Sequence, residues 1–316
     1  MSKTAVILFN LGGPDSPAAV ESFLFNLFYD KAIIGLPNPF RYILAKLISK
    51  FRAPVAKKIY SHMGGKSPIL KETQAQAKEL SNDLKRRGDY KVFISMRYWK
   101  PFSSQVAKDV KKYNPDKIVL LPLYPQYSST TTGSSFNDWE KSAQKAGISH
   151  IPTKKIFSYY DNEHFIDAHV SLIKDNLKGK KPFPRILFSA HGLPVSIIEN
   201  GDPYQDQVEK TVAAIVEKLD MPKLDWKICY QSRVPGKKWL EPYTDDEIVK
   251  AGKEHKAVAV VPVAFVSEHS ETLVELDIEY KELAEESGVL NYYRIPTLSI
   301  KFDFILALSK LCRDKN

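Results

Sequence analysis

The sequence predicts an α/β protein of two similar units, each a four-stranded parallel sheet flanked by helices. Three observations carry this. Short apolar runs of strand length occur at 5–11, 91–96, 117–124 and 153–158, and a second set of four follows at 185–189, 226–231, 256–266 and 291–295. Segments with helical apolar spacing separate successive runs, the alternation of a doubly wound parallel sheet. The 316 residues also suffice for two domains with a core each.

The first run, AVILFNL at 5–11, is apolar throughout and bounded by glycine, which suits a strand buried on both faces. Gly12, Gly13 and Pro14 then force a turn. Asp15 or Ser16 is placed to cap the next helix, with Pro17 at its first position, and Val20, Phe23, Leu24, Leu27 and Phe28 keep helical spacing. The turn lacks G-x-G-x-x-G spacing, so no dinucleotide site is inferred. A second amphipathic segment puts Phe40, Ile43, Leu44, Leu47, Ile48 and Phe51 on one stripe, with Arg41, Lys46, Lys50 and Arg52 around it. Such a helix docks on its own core, lies on an anionic membrane surface, or forms an apolar lip over a flat ligand. GGKS at 64–67 lacks the earlier glycine and the leading strand of a phosphate loop; Pro68 instead starts a polar helix ending near Gly88. After the next strands come RYWKP, from Arg97, and YPQYSSTTTGS, from Tyr124, aromatic and hydroxyl-rich where open α/β sheets place ligands. DNEHFIDAH at 161–169 has no histidine pair at i, i+4 and reads as an ordinary helix start.

In the second set, ILFSAHGLP puts His191 at a strand end, with Gly192 expected to allow an unusual backbone turn. Asp202 and Pro203 cap and start a helix carrying Val208, Val212, Ile215 and Leu219. The run 258–286 reads as a buried strand that stops at Ser267 and turns at once into a helix, with Glu268, His269 and Glu271 at the junction. Leu273, Leu276, Tyr280, Leu283, Ala284 and Ser287 follow the apolar period, and Glu271, Glu275 and Glu279 fall on the other side. Like charges at i, i+4, i+8 cost about 0.2–0.5 kcal/mol per pair, and no lysine lies between them. A single-signed row at the carboxyl end of a buried strand suits a divalent metal such as iron(II), or proton transfer. His191, in the same unit, can face it. The expected division is 1–160, 161–298, and a closing helical segment, 299–316, that packs back on the first unit.

The balance of 46 Lys+Arg against 37 Asp+Glu gives +9, which points to an anionic partner: lipid, nucleic acid or an acidic small molecule. Cys229 and Cys312 are the only cysteines, too few for a disulfide framework or a four-cysteine zinc or iron–sulfur site in one chain. A reducing, cytoplasmic setting follows. The run 5–11 is too short for a signal peptide, and no window reaches membrane-spanning length.

The order NLGGP, GGKSPI, FRYWKP, YPQYSSTTTGSS, LFSAHGLP, GDPY, CYQSR and FVSEHSETLVELDIEY resembles the ferrochelatase family over nearly the whole chain. The resemblance implies insertion of Fe2+ into protoporphyrin IX to give protohaem, without an organic cofactor, on two Rossmann-like, chelatase-type units with a porphyrin cleft between them. His191 matches the family's histidine that takes pyrrole protons or ligates iron, and Glu271 the facing carboxylate. Glu275 and Glu279 match the acidic ridge that passes metal or protons, and His269 supports that site. Arg52, Tyr60, Ser67, Arg97 and Tyr124 match positions on the porphyrin lip or pocket, Arg52 and Ser67 as propionate contacts. Two departures stand out. Pro235 precedes Gly236 where the family has the reverse order, and Ser129 stands at a cluster-cysteine position of some relatives, so with the tail ending at Asn316 no iron–sulfur cluster is expected. The partners implied are protoporphyrin IX and ferrous iron, with peripheral contact at the inner face of an anionic membrane and no nucleic acid. The alternatives are a chelatase for another metal or for coproporphyrin, and a non-catalytic tetrapyrrole or metal carrier. The apolar segment 23–51 favours protoporphyrin, and a carrier needs no proton acceptor such as His191 with Glu271.

Overall fold

Residues 2–314 are described by the computed structural model. Apolar runs become strands as the alternation predicts: β1 (Thr4–Asn10), β2 (Tyr90–Met96), β3 (Lys117–Pro122) and β4 (Thr153–Lys155) form one parallel sheet, in the order β2-β1-β3-β4. A second parallel sheet has the order β6-β5-β7-β8, from β5 (Arg185–His191), β6 (Trp226–Gln231), β7 (Val258–Pro262) and β8 (Tyr292–Arg294). The two orders are the same topology used twice. One compact unit runs to Ser158 and takes back the chain from Leu308; the other is Tyr159–Ala307.

In the first unit β1 is buried along its length, as a central strand covered on both faces must be. Helices α1 (Val20–Phe28), α2 (Phe40–Ser61), α3 (Ile69–Lys85), α4 (Ser103–Tyr113) and α5 (Ser134–Ala146) supply the covers. On one side Phe9 meets Phe136 and Trp139 edge-on at 5.8 and 6.0 Å, geometry that adds to the area these rings bury. Another cluster joins Val20, Phe23 and Leu24 of α1 to Ala53 and Tyr60 of α2. Ser16 takes the cap position and Pro17 the first position of a 3-10 turn, Pro17–Ala19, that runs into α1, but the Ser16 hydroxyl bonds Asp15 rather than a backbone amide.

The stripe on α2 does not face the core. Ala45, Ser49, Ala53 and Tyr60 are the buried residues, while Phe40 is 64% and Phe51 75% exposed, with Ile43 and Leu47 also outside. Small side chains let helix backbones approach closely, so the inner stripe is alanine and serine, and the larger apolar residues are left facing out.

The second unit carries α6 (Glu163–Leu177), α7 (Val195–Glu199), α8 (Tyr204–Leu219), α9 (Thr244–Lys253) and α10 (Tyr280–Glu286). Asn162 caps α6 by accepting from the Phe165 amide at 3.2 Å. The final helix, α11 (Phe302–Arg313), crosses the division, and its Ser309 hydroxyl donates to Asp83 of α3 in the first unit. The expected strand to Ser267 is corrected: β7 stops at Pro262, the Val263 amide makes one more bond to the Ser189 carbonyl of β5 at 3.0 Å, and a loop leads to a π-helix, Glu271–Glu279. No described helix is long and apolar enough to cross a membrane.

Candidate active site

His191 closes β5 and lies opposite Gln231 of β6 in the sheet register. Its Nδ1 is 2.6 Å from the Gly192 carbonyl. A carbonyl only accepts, so Nδ1 carries the proton and a neutral ring presents an unprotonated Nε2. Trp239 and Phe265 flank the imidazole with centroids 6.4 and 6.3 Å away. Gly192 is needed for space rather than for an unusual turn: it lacks a left-handed φ, and a Cβ would lie 3.0 Å from the Gln231 carbonyl and 3.2 Å from the Trp239 ring.

The π-helix supplies the acids. Glu271 accepts from His269 Nε2 in a very short ion pair, and His269 Nδ1 donates to the Ser267 carbonyl at 2.9 Å. Both ring nitrogens of His269 therefore face acceptors, which favours the imidazolium. Burial of His269 opposes its charge but is outweighed by Glu271, so its pKa rises above the usual 6.5. Burial likewise opposes ionisation of Glu271; the charges of His269 and His191 and the bond from His269 overcome it, and its pKa falls from 4.5 to about 2.

Glu275 is in a different condition. Its Oε1 accepts from the Ser232 amide at 2.8 Å and the Tyr280 hydroxyl at 3.1 Å, and its Oε2 from Gln231 Nε2 at 2.9 Å and the Ser232 hydroxyl at 2.5 Å. Four donors fill its acceptor sites. Glu279 is exposed. In an α-helix residues four apart overshoot a turn of 3.6, whereas the wider π turn sets them more nearly above one another, so the row persists. Among the described residues no three of His, Cys, Asp and Glu converge as a preformed metal cage. What the second unit brings together is His191 with the Glu271–His269 pair.

Sequence reasoning missed the supports of this site. Gln231 and Ser232 hold Glu275, and Arg294, at the end of β8, donates to Glu268 at 2.6 Å and in a two-pronged contact to Asp277 at 2.7 and 2.6 Å. A glutamine closing the apolar run 226–231 was the signal in the sequence; its register with His191 appears only in the sheet.

The other predicted residues belong to the first unit. Arg52 is exposed, its guanidinium 5.9 Å over the Phe28 ring, whereas Tyr60 is buried in the α1–α2 cluster. Ser67 is seated by its amide on the Pro14 carbonyl at 2.8 Å, and a Cβ at Gly13 would overlap it at 2.5 Å. Arg97 is committed to protein partners: it donates to Asp30 at 2.8 Å and Ser134 at 2.7 Å, and Tyr98 donates to the same Asp30 oxygen. Burial raises the pKa of Asp30, but Arg97 and these donors win and hold it below 3.8. Arg97 also lines a cavity of about 380 Å³ whose walls, Asp30, Arg41 and Asp138 among them, all lie in the first unit. Burial of Tyr124 pushes its hydroxyl pKa upward.

A family model described as Ferrochelatase matches residues 3–316. The chain is 55% identical over 314 residues to a ferrochelatase of Wolbachia pipientis wMel, covering 98% of both. It is 54% identical over 317 residues to one of Pelagibacter ubique, covering 99% of this chain and 92% of the relative. A ferrochelatase of Rickettsia bellii is 52% identical, covering 98% and 86%. Among solved structures, SirB from Bacillus subtilis with Fe3+ gives a TM-score of 0.56 at 12% identity over 98% of this chain and 94% of that one. The sirohydrochlorin chelatase SirB from Bacillus subtilis subspecies spizizenii, in complex with cobalt, gives 0.55 at 13% over the same shares, a likeness of fold. Matched along nearly its whole length, this chain belongs to the ferrochelatase family.

Proposed function

We propose that this chain is an enzyme that inserts Fe2+ into protoporphyrin IX to give protohaem, completing haem synthesis. Family membership gives the reaction class, metal insertion into a porphyrin. One observation supports the chemistry most directly: His191, with Nδ1 committed to the Gly192 carbonyl, shares its unit with Glu271, a carboxylate that the adjoining His269 holds ionised.

Two pyrrole N–H protons must leave as the metal enters, so each turnover releases two protons for one Fe2+ bound. His191 Nε2 is the acceptor for the first, because Nδ1 already holds its proton against the Gly192 carbonyl and leaves the Nε2 lone pair for the substrate. Glu271, held near 2, is a poor base at neutral pH. Its negative charge instead stabilises the imidazolium as it forms and attracts the incoming cation. His269 keeps that carboxylate ionised and aimed. Glu279, exposed on the same row, is assigned to metal or proton passage; Glu275, the family's other ridge position, joins it only by exchanging one of its four donors for a metal or a proton.

The porphyrin's two carboxylates are assigned to Arg52 and Ser67, and its apolar faces to Tyr60 and Tyr124. Arg97, already paired with Asp30, shapes that pocket. The exposed Phe40, Ile43, Leu47 and Phe51, among Arg41, Lys46, Lys50 and Arg52, support peripheral contact with the inner face of an anionic membrane by a cytoplasmic protein. The reading includes no organic cofactor, no iron–sulfur cluster and no nucleic acid, and the two buried cysteines cannot supply four thiolates.

The test is anaerobic. Protoporphyrin with Fe2+ or Zn2+ should yield many equivalents of metalloporphyrin per chain, read by absorbance; stoichiometric binding without turnover would make this a carrier. Replacement His191→Ala should abolish turnover while porphyrin still quenches tryptophan fluorescence. Normal turnover in that variant would take His191 out of the mechanism.

A further inference from the structure

Gln231 is 1% exposed at the end of β6, and every polar atom of its side chain is used. Its Oε1 accepts from the Ser189 hydroxyl at 2.8 Å, and Ser189 in turn lies 2.9 Å from the Thr244 hydroxyl. Its Nε2 donates to the backbone carbonyl of Glu271 at 3.0 Å and to Glu275 Oε2 at 2.9 Å. The amide cannot be reversed, because its oxygen would then face two acceptors. The backbone of the same residue holds the opposite side of the site: the Gln231 carbonyl accepts from the Gly192 amide at 2.8 Å, immediately after His191, in parallel register with that strand.

One residue thus ties the strand end carrying the imidazole to the first turn of the helix carrying the carboxylate. A π-helix has wider, less regular backbone bonding than an α-helix, so a fixed donor on the Glu271 carbonyl sets where its first residue stands. Ser232, next in the chain, is held at a φ of +65°, a left-handed conformation that a serine keeps only when its surroundings require it. Its amide and hydroxyl both bond Glu275, so the strand end and the π-helix are joined at two consecutive residues.

We infer that Gln231 is a positioning residue for metal insertion: its backbone fixes the His191–Gly192 turn, and its carboxamide fixes Glu271 relative to it. The inference rests on the assignment of His191 and Glu271 as the reacting pair. It predicts that the side chain contributes to kcat without touching porphyrin or metal.

Gln231→Leu removes both donated bonds at similar volume, and Gln231→Glu replaces the donor by an acceptor facing two acceptors. Both, in the full chain and at a temperature where circular dichroism shows them folded, should lose kcat by about 10- to 100-fold with KM for porphyrin unchanged, the penalty of misplacing a reacting group by about 1 Å. Hydrogen exchange of amides across Glu271–Glu279 should rise in parallel, with β5 amides still protected. Faster exchange with wild-type kcat would make Gln231 a packing strut and overturn the inference. Should neither variant fold, Ser189→Ala, which releases Gln231 Oε1, decides it: a smaller loss of kcat in the same direction supports the inference, and unchanged kcat and exchange overturn it. Failure of the wild-type chain to turn over sinks the parent assignment instead, so the two failures are distinguishable.

Discussion

Three glutamates evenly spaced in sequence occupy three different electrostatic states. Glu271 is answered by a cation and Glu275 by four neutral donors, while Glu279 stands on the exposed part of the helix. For Glu271, whose folded pKa of about 2 lies below its ordinary 4.5, the stabilisation is present above pH 4.5 and lost as pH falls toward 2. For His269, whose folded value is raised above 6.5, it is full below 6.5 and lost as pH rises through the raised value. The pair therefore contributes most between about 4.5 and 6.5. His269→Asn removes the positive charge and leaves burial to push Glu271 upward. The acidic limb of the kcat–pH profile should move up by about a unit or more, measured with the anaerobic assay; an unmoved limb would mean that His269 does not set the charge of Glu271. The sequence showed these acids and His191 because strand-end position and spacing are local properties. It could not show which acid is satisfied, since Gln231 and Ser232 reach Glu275 from another strand.

Helix winding and facing depend on neighbours even more. The stripe on α2 was legible as amphipathic, but whether it turned inward depended on α1, which packs on the Ala45, Ser49 and Ala53 side. Replacing exposed Phe40 and Phe51 together by serine should leave the melting temperature nearly unchanged, as surface substitutions do, within about 0.5 kcal/mol. The same change should reduce flotation with anionic vesicles; equal flotation would remove α2 from membrane contact. The π-helix was read as α because apolar periodicity assumes 3.6 residues per turn. Its buried set, Thr272, Val274 and Leu276, departs from that period. Arg294 spans the departure, bonding Glu268 before the π-helix and Asp277 within it, with all three side chains largely shielded. Arg294→Met strands two carboxylates there and should cost about 3 kcal/mol, at the low end for breaking a shielded pair. A lower denaturant midpoint with unchanged slope is the expected reading, and a coincident midpoint would show that the clamp contributes little.

Across the whole molecule, repeated alternation was enough to give both parallel sheets, because covered strands leave an apolar signature in the chain itself. Burial of single polar groups was less visible. His169 was read only as part of a helix start, yet it falls one helical turn after Phe165 on the inner face of α6, is 2% exposed, and has an Nε2 without a hydrogen-bond partner. Its ring meets Phe165 edge-on at 4.8 Å. Burial lowers its pKa from 6.5 to about 3, so between those values the unfolded chain binds a proton that the folded chain refuses. Stability must therefore decline as pH falls below 6.5, by up to several kcal/mol at about 1.4 kcal/mol per pKa unit. Glu271 does not add to this decline until pH drops below 4.5, and the contribution of His269 is already full below 6.5, so neither member of that pair produces a decline in the window from 6.5 to 4.5. His169→Leu keeps an apolar side chain against Phe165 and carries no titrating group. Its melting temperature should fall less than that of the wild-type chain between pH 7 and pH 4.5, whatever the substitution costs at pH 7. Parallel declines would mean that His169 takes up its proton without unfolding, and that some other group sets the acid limit of this fold.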